Sequence, residues 1–112
     1  MSYRVVVTEN AKANLRSYYL YAAQHAPITA ARWLNRFEES LATLATNPQR
    51  CGIAPENEVV NREIRQFLFG KRPSVFRALF AIVKDEVQIL HIRRAVMDTA
   101  APTDLYGPGD TP

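Results

Sequence analysis

Residues 64–94, IRQFLFGKRPSVFRALFAIVKDEVQILHIRR, constrain the fold most. They contain three β-prone runs, at about 62–69, 74–83 and 86–94, joined by links that permit only antiparallel pairing. The first link is 70–73, with Gly70 and Pro73 as turn residues, and the second is Lys84-Asp85-Glu86. A three-stranded meander follows. It is unusually basic: Arg62, Arg65, Lys71, Arg72, Arg77, Lys84, Arg93 and Arg94 stand against Glu63, Asp85 and Glu86.

The second link sets the pairing of the arginines. With a three-residue loop, Val83 faces Val87 and Arg77 faces Arg93. With a two-residue loop the register slips and Arg77 faces Arg94. Either way two like charges oppose each other, which destabilises a sheet by up to about 1 kcal/mol. Arg65 on the preceding run lies near the same region, and Lys71 and Arg72 crown the adjacent turn. Two readings stand at this point. One is a solvated basic face compensated by Glu63 or a tail aspartate. The other is an anion site built from Arg65, Lys71, Arg72, Arg77, Arg93 and Arg94, since guanidinium offers a bidentate fork to phosphate or carboxylate.

Upstream, residues 3–8 (YRVVVT) are short and β-branched, and read as a first strand. Thr8 or Asn10 can cap a following helix. Its stripe is Ala11, Leu15, Tyr18 and Ala22, and it ends near His25-Ala26-Pro27. A second helix starts near Ile28, carries Trp33, Phe37, Leu41 and Leu44 on one stripe, and stops at Asn47-Pro48. The short link implies a helical hairpin. Trp33 and Phe37 read as core, whereas Tyr18, Tyr19 and Tyr21 cannot all face one way. His25 reads as a helix C-terminal residue favoured by the dipole. Residues 48–61 read as a loop. The first strand has no neighbour in sequence to pair with, so it is expected to return to the sheet. The expected fold is α+β: a four-stranded antiparallel sheet with both helices on one face, from strand, helical hairpin and meander.

At 112 residues and 47 % hydrophobic content the chain is one domain with one modest core. Expected boundaries are 1–96 for the domain and 97–112 for a flexible acidic tail containing Asp98, Asp104 and Asp110. The tail is expected to be loose, and one hypothesis is that it folds over the basic sheet. No run approaches a membrane span, and the N-terminus has no apolar signal core, so a cytoplasmic location is expected. Cys51 is the single cysteine and forms no internal disulfide. One cysteine and two distant histidines give no metal-ligand spacing, and there is no phosphate loop or serine nucleophile motif. No metal or cofactor is expected.

The chain resembles the RelE/ParE superfamily of toxins and plasmid stabilisation proteins. The resemblance rests on Thr8-x-x-Ala11-x-x-x-Leu15, on the second helix and its exit (Ala30, Trp33, Phe37, Leu41, Pro48, Gly52), and on Ile64-Arg65-Gln66-Phe67. It continues through Gly70, the strand Phe76-Arg77-Ala78-Leu79-Phe80, and the closing Val87, Ile89, Leu90, His91, Ile92, Arg93 and Arg94. It implies the toxin of a type II toxin–antitoxin pair, neutralised by a cognate antitoxin in a hetero-oligomer. The basic sheet and the helical hairpin would be the docking surfaces.

The superfamily splits in mechanism. One branch cuts mRNA on the ribosome and needs cations on the scissile phosphate together with an acid/base group. The other poisons DNA gyrase. Here Arg77 and Arg93, with His91, are the catalytic candidates if the chain is a ribonuclease. Where the superfamily often has a terminal histidine, this chain has Arg94. His91, between Leu90 and Ile92, reads first as structural, and Tyr106 lies in the tail. The resemblance therefore favours the gyrase-directed, ParE-like branch, with an mRNA endoribonuclease or a degenerate binding module as alternatives.

Overall fold

The computed structural model describes residues 2–96 and 100–106. Strand β1 (Arg4–Val7) leads into helix α1 (Glu9–Ala23), and helix α2 (Pro27–Ala42) follows. Thr8 is the cap of α1. Its hydroxyl accepts the Ala11 amide at 3.3 Å and donates to the Ile89 carbonyl at 2.8 Å, so one side chain both starts the helix and ties it to the sheet. Pro27 occupies the first turn of α2, where its missing N–H costs nothing. A 3₁₀ turn, Thr43–Ala45, completes α2 before Asn47, which adopts a left-handed φ of 47° ahead of Pro48. Arg50 then donates to the Thr46 carbonyl at 2.6 Å and the Asn47 carbonyl at 3.1 Å. The expected loop at 48–61 is built largely of two further 3₁₀ turns, Pro48–Arg50 and Pro55–Glu58.

Strands β2 (Arg65–Phe69), β3 (Phe76–Val83) and β4 (Glu86–Arg94) form the meander, and the sheet order is β1-β4-β3-β2. The sequence points to a wholly antiparallel sheet, but β1 pairs parallel to β4, with Val5 opposite Val87 and Val7 opposite Ile89. A parallel partner requires a long crossover, and the helical hairpin and the first two meander strands provide it.

The β3–β4 hairpin follows the first expected register only beyond a bulge, and near its turn it has a register that neither expectation contained. Val83 faces Glu86, so the loop is only Lys84-Asp85, with Lys84 at φ 58°. Taken alone, that register would oppose Arg77 to Ile92. Between Leu79 and Phe80, however, the pairing jumps from His91 to Ile89 and leaves Leu90 as an extra residue. This bulge restores the offset, and Arg77 faces Arg93. Helix α1 satisfies the backbone groups there. Asn10 donates to the Leu90 carbonyl at 2.8 Å, and Asn14 accepts the Ile92 amide at 3.0 Å.

Both faces of the sheet are covered. On one, α1 and α2 bury Ala11, Leu15, Phe37, Leu41 and Leu44 against Phe76, Ala78, Phe80, Val87, Ile89 and Ile92. Phe37 stacks on Phe69 at 4.4 Å between ring centroids and meets Trp33 and Phe76 edge-on. On the other face a smaller cluster joins Ala54, Ile64, Leu79, Ala81 and Leu90 to Ala100 and Leu105. Residues 100–106, expected within a loose tail, are thus docked, with Pro102–Tyr106 forming the short helix α3. The other tail residues, 97–99 and 107–112, lie outside the described residues. Among the described residues no helix is long and apolar enough to cross a membrane.

Phe37 is fully buried at the centre of the aromatic cluster, so Phe37→Ala should cost about 3–5 kcal/mol. Urea unfolding measures this directly. A loss below about 1 kcal/mol would mean that the cluster collapses around the void.

Candidate functional site

Arg77 does not face solvent. It is 8 % exposed, and its guanidinium forms a bidentate pair with Glu56, Nη1 to Oε1 at 2.9 Å and Nη2 to Oε2 at 2.7 Å. Glu56 is fully buried, brought there by the 3₁₀ turn Pro55–Glu58. Its Oε2 also accepts the Ala100 amide at 2.8 Å, and Gln66 Oε1 accepts a second bond from Arg77 Nη1 at 3.0 Å. Burial alone would raise the Glu56 pKa. The Arg77 hydrogen bonds and the backbone amides outweigh it, and the carboxyl is held down at about 2.

Arg93, across the hairpin, is 7 % exposed, and its Nη1 lies 3.3 Å from Asp104 Oδ2. The carboxylate is shared with the Ala101 amide at 2.8 Å. Asn10 holds the same segment by donating to the Asp104 carbonyl. The opposed arginines are therefore reconciled by separate counter-ions, Glu56 for one and the tail aspartate Asp104 for the other. His91 is 8 % exposed on this face. Burial, then the adjacent Arg93 charge, pushes its pKa below the usual imidazole value, so it is neutral near pH 7. Among the described residues, two buried atoms in this cluster have no hydrogen-bond partner: His91 Nδ1 and Arg93 Nε.

The six expected anion-binding residues do not form one site. Arg65 clamps the neighbouring loop, donating to the Cys51 carbonyl at 2.6 Å and the Gln49 carbonyl at 3.2 Å and pairing with Glu63 at 3.1 Å. Arg77 and Arg93 are enclosed. Lys71, Arg72 and Arg94 are exposed. Sequence reasoning missed Glu56, Gln66 and Asn10, because a counter-ion 21 residues away in an irregular loop carries no periodic pattern. Pro55-Glu56 in an otherwise apolar approach was the one available cue. Cys51 is half-buried, and burial pushes its thiol pKa up, so it is not an activated nucleophile.

The accessible feature lies on the opposite face. A cleft of about 320 Å³ opens between α1, α2 and the ends of β3 and β4, floored by Tyr18, Ala22, Ala30, Trp33 and Phe76. Arg36 and Arg94 stand on its margin. A second hollow shares Trp33, Arg36 and Ser74 with it and reaches Gly70 and Lys71. Trp33, expected in the core, is only partly buried: one side meets Phe37 and Phe76, and the indole also lines this cleft. Tyr21, at 70 % exposure, extends the apolar margin. Among the described residues Arg36, Lys71, Arg72 and Arg94 form no ion pair.

Removing one partner of a buried pair strands the other charge, so Glu56→Ala or Arg77→Ala should cost about 3–5 kcal/mol, whereas the double change to Leu and Met should cost far less. A depressed carboxyl pKa stabilises the fold fully above the usual value of 4.5, and that contribution is lost as pH falls towards about 2. The shift corresponds to roughly 3 kcal/mol. Urea midpoints of wild type and Glu56→Gln should therefore converge over that pH window. Parallel curves would deny Glu56 this role.

Comparisons with known proteins place the architecture. Residues 5–99 match the family described as "ParE toxin of type II toxin-antitoxin system, parDE". A solved structure of a chromosomal ParDE TA system from P. aeruginosa shares the fold, with a TM-score of 0.68 and 23 % identity, covering 83 % of this chain and 96 % of that one. No curated protein sequence matches. With the family match spanning nearly the whole of the strand, helical hairpin and meander, this chain belongs to the ParE toxin family of type II toxin–antitoxin systems.

Proposed function

We propose that this toxin acts in the cytoplasm on DNA gyrase without cutting RNA, and that a cognate antitoxin silences it in a hetero-oligomer. The carrying observation is the engagement of Arg77 and Arg93 by Glu56 and Asp104. Cleavage through a ribose 2′-OH needs free cations at the phosphate and a reachable acid/base group. Taking Arg77 for a phosphate would leave Glu56 charged and unpaired in the interior, a cost of several kcal/mol. His91 is neutral and enclosed. The unpaired cations Arg36, Lys71, Arg72 and Arg94 remain for intermolecular contacts, beside the apolar cleft on the helical hairpin. A flexible antitoxin segment that folds on binding suits such a surface.

Purified protein should block gyrase supercoiling at concentrations that leave ribosome-bound mRNA uncut. Cut mRNA with unimpaired supercoiling would reverse the assignment. Induced without antitoxin, the chain should depress thymidine incorporation before amino-acid incorporation. Charge reversal at the cleft, Arg36→Glu with Arg94→Glu, should weaken antitoxin binding about tenfold or more while leaving the melting temperature unchanged. Unaltered affinity would move the antitoxin elsewhere.

A further inference from the structure

The cleft on the helical hairpin has an apolar half and a charged half. The apolar half exists because small residues line it: Ala22 on α1, Ala26 in the link and Ala30 on α2 leave room beside Phe76. Tyr18 and Trp33 border that room, and both meet the Phe76 ring, at 5.0 and 5.2 Å between centroids. The volume of about 320 Å³ lies at the low end of small-ligand sites, which span roughly 300–1,000 Å³. It has room for one ring system.

The charged half adjoins it. Arg36 follows Trp33 by three residues, so the indole and the cation share a face of α2. Arg36 and Ser74 line both the cleft and the neighbouring hollow of about 580 Å³, which reaches Lys71. The turn carrying Lys71 and Ser74 is tightly closed. The Ser74 amide donates to the Lys71 carbonyl at 2.8 Å, and Gly70, at a φ of 100°, has no room for a Cβ beside the Ser74 carbonyl. Arg94, paired across the hairpin with Phe76, also lines the cleft. Among the described residues Arg36, Lys71 and Arg94 form no ion pair. Three unengaged cations around one aromatic cleft call for a ring joined to several negative charges. A simple aromatic acid carries one charge and leaves the rest of the cations unanswered. A phosphate chain answers all three, and guanidinium forks match its oxygens. A nucleic acid strand would need successive aromatic platforms, whereas this cleft holds one ring.

We propose that the hairpin cleft and the adjoining hollow bind a free nucleotide carrying a polyphosphate, with the base against Trp33 and the phosphates on Arg36, Lys71 and Arg94. Arg77 and Arg93, the cations considered for RNA cleavage, take no part. The site does not depend on the gyrase or antitoxin readings, because it belongs to the toxin chain alone.

Trp33 is the only tryptophan of the chain, so its indole N–H gives a single resonance that reports on the cleft. The full chain, without antitoxin, is titrated at physiological ionic strength with ATP and separately with GTP. Adenosine, inorganic triphosphate and a short oligodeoxyadenylate serve as controls. At least one of the two nucleotides should move the Trp33 resonance saturably. It should bind about tenfold or more tighter than adenosine or triphosphate does. Arg36→Ala with Lys71→Ala should lower that affinity about tenfold or more at an unchanged melting temperature, since both side chains are exposed. Ala22→Leu keeps every charge and fills the apolar half, so it should weaken nucleotide binding by a similar factor and leave triphosphate binding as it was. No shift with either nucleotide would overturn the proposal. So would triphosphate binding as tightly as the nucleotide, the mark of a charged surface only, or undiminished nucleotide binding by a folded Ala22→Leu chain. An oligonucleotide that binds more tightly than both nucleotides would give the cleft to a nucleic acid strand instead. Should Ala22→Leu unfold the chain, the arginine–lysine variant and the triphosphate control decide.

Discussion

The buried Glu56–Arg77 pair is the contact on which the second face of the sheet depends. Helices α1 and α2 cover the first face by ordinary apolar packing. The second presents an arginine at the middle of β3, and nothing apolar can lie over an unpaired guanidinium. Glu56 removes that obstacle. Its carboxylate matches the fork bidentately, Gln66 takes a further donor, and the Ala100 amide uses the remaining lone pair. With the charges cancelled, Ile64, Leu79, Ala81, Leu90 and Leu105 close into a core. The pair therefore matters less for its own net energy, which desolvation largely offsets, than for the packing it allows around it.

The bulge at Leu90 belongs to the same arrangement. By shifting one residue it sets Arg93 opposite Arg77, close enough for two like charges to repel. Each is answered by a carboxylate from a different segment: one on the loop between α2 and β2, one on the segment after β4. The repulsion thereby becomes a reason for both segments to remain on the sheet. The bulge also turns Leu90 and His91 to the same side, so β4 contributes an aliphatic side chain and an imidazole next to Arg93. Asn10 and Asn14 of α1 stabilise the irregular backbone from behind, which links the helical hairpin to the shape of the opposite face.

Much of this was legible in the sequence and some was not, for definable reasons. The meander, the hairpin of helices and the Thr8 cap follow from period, turn residues and capping chemistry, all local properties. The opposition of Arg77 to a C-terminal arginine was legible because hairpin register is nearly arithmetic. That pairing nonetheless depends on a bulge, since the turn alone would set Arg77 opposite Ile92, and bulges leave little trace in side-chain pattern. The direction of β1 was missed because pairing between residues some 80 positions apart is decided by the route of the whole chain. Of the counter-ions considered, a tail aspartate does serve Arg93, while Glu63 serves Arg65 instead. Glu56 escaped notice because a carboxylate in a proline-flanked loop looks solvated until its partner is known.

The two groups of cations also separate what binds from what holds the fold. A guanidinium with a dedicated internal carboxylate is unavailable to an outside anion, since recruiting it strands the carboxylate. Arg77 falls in that group, while Arg65 is held instead by the Gln49 and Cys51 carbonyls. Arg36, Lys71, Arg72 and Arg94 carry comparable charge at no such cost, and Arg36, Lys71 and Arg94 line the hollows beside partly exposed aromatic side chains. Net positive charge alone does not distinguish the two groups; burial and pairing do. Arg93 is the intermediate case, because its counter-ion is half-exposed and touches only one of its nitrogens. Of the two enclosed cations it is the one whose counter-ion is not fully buried.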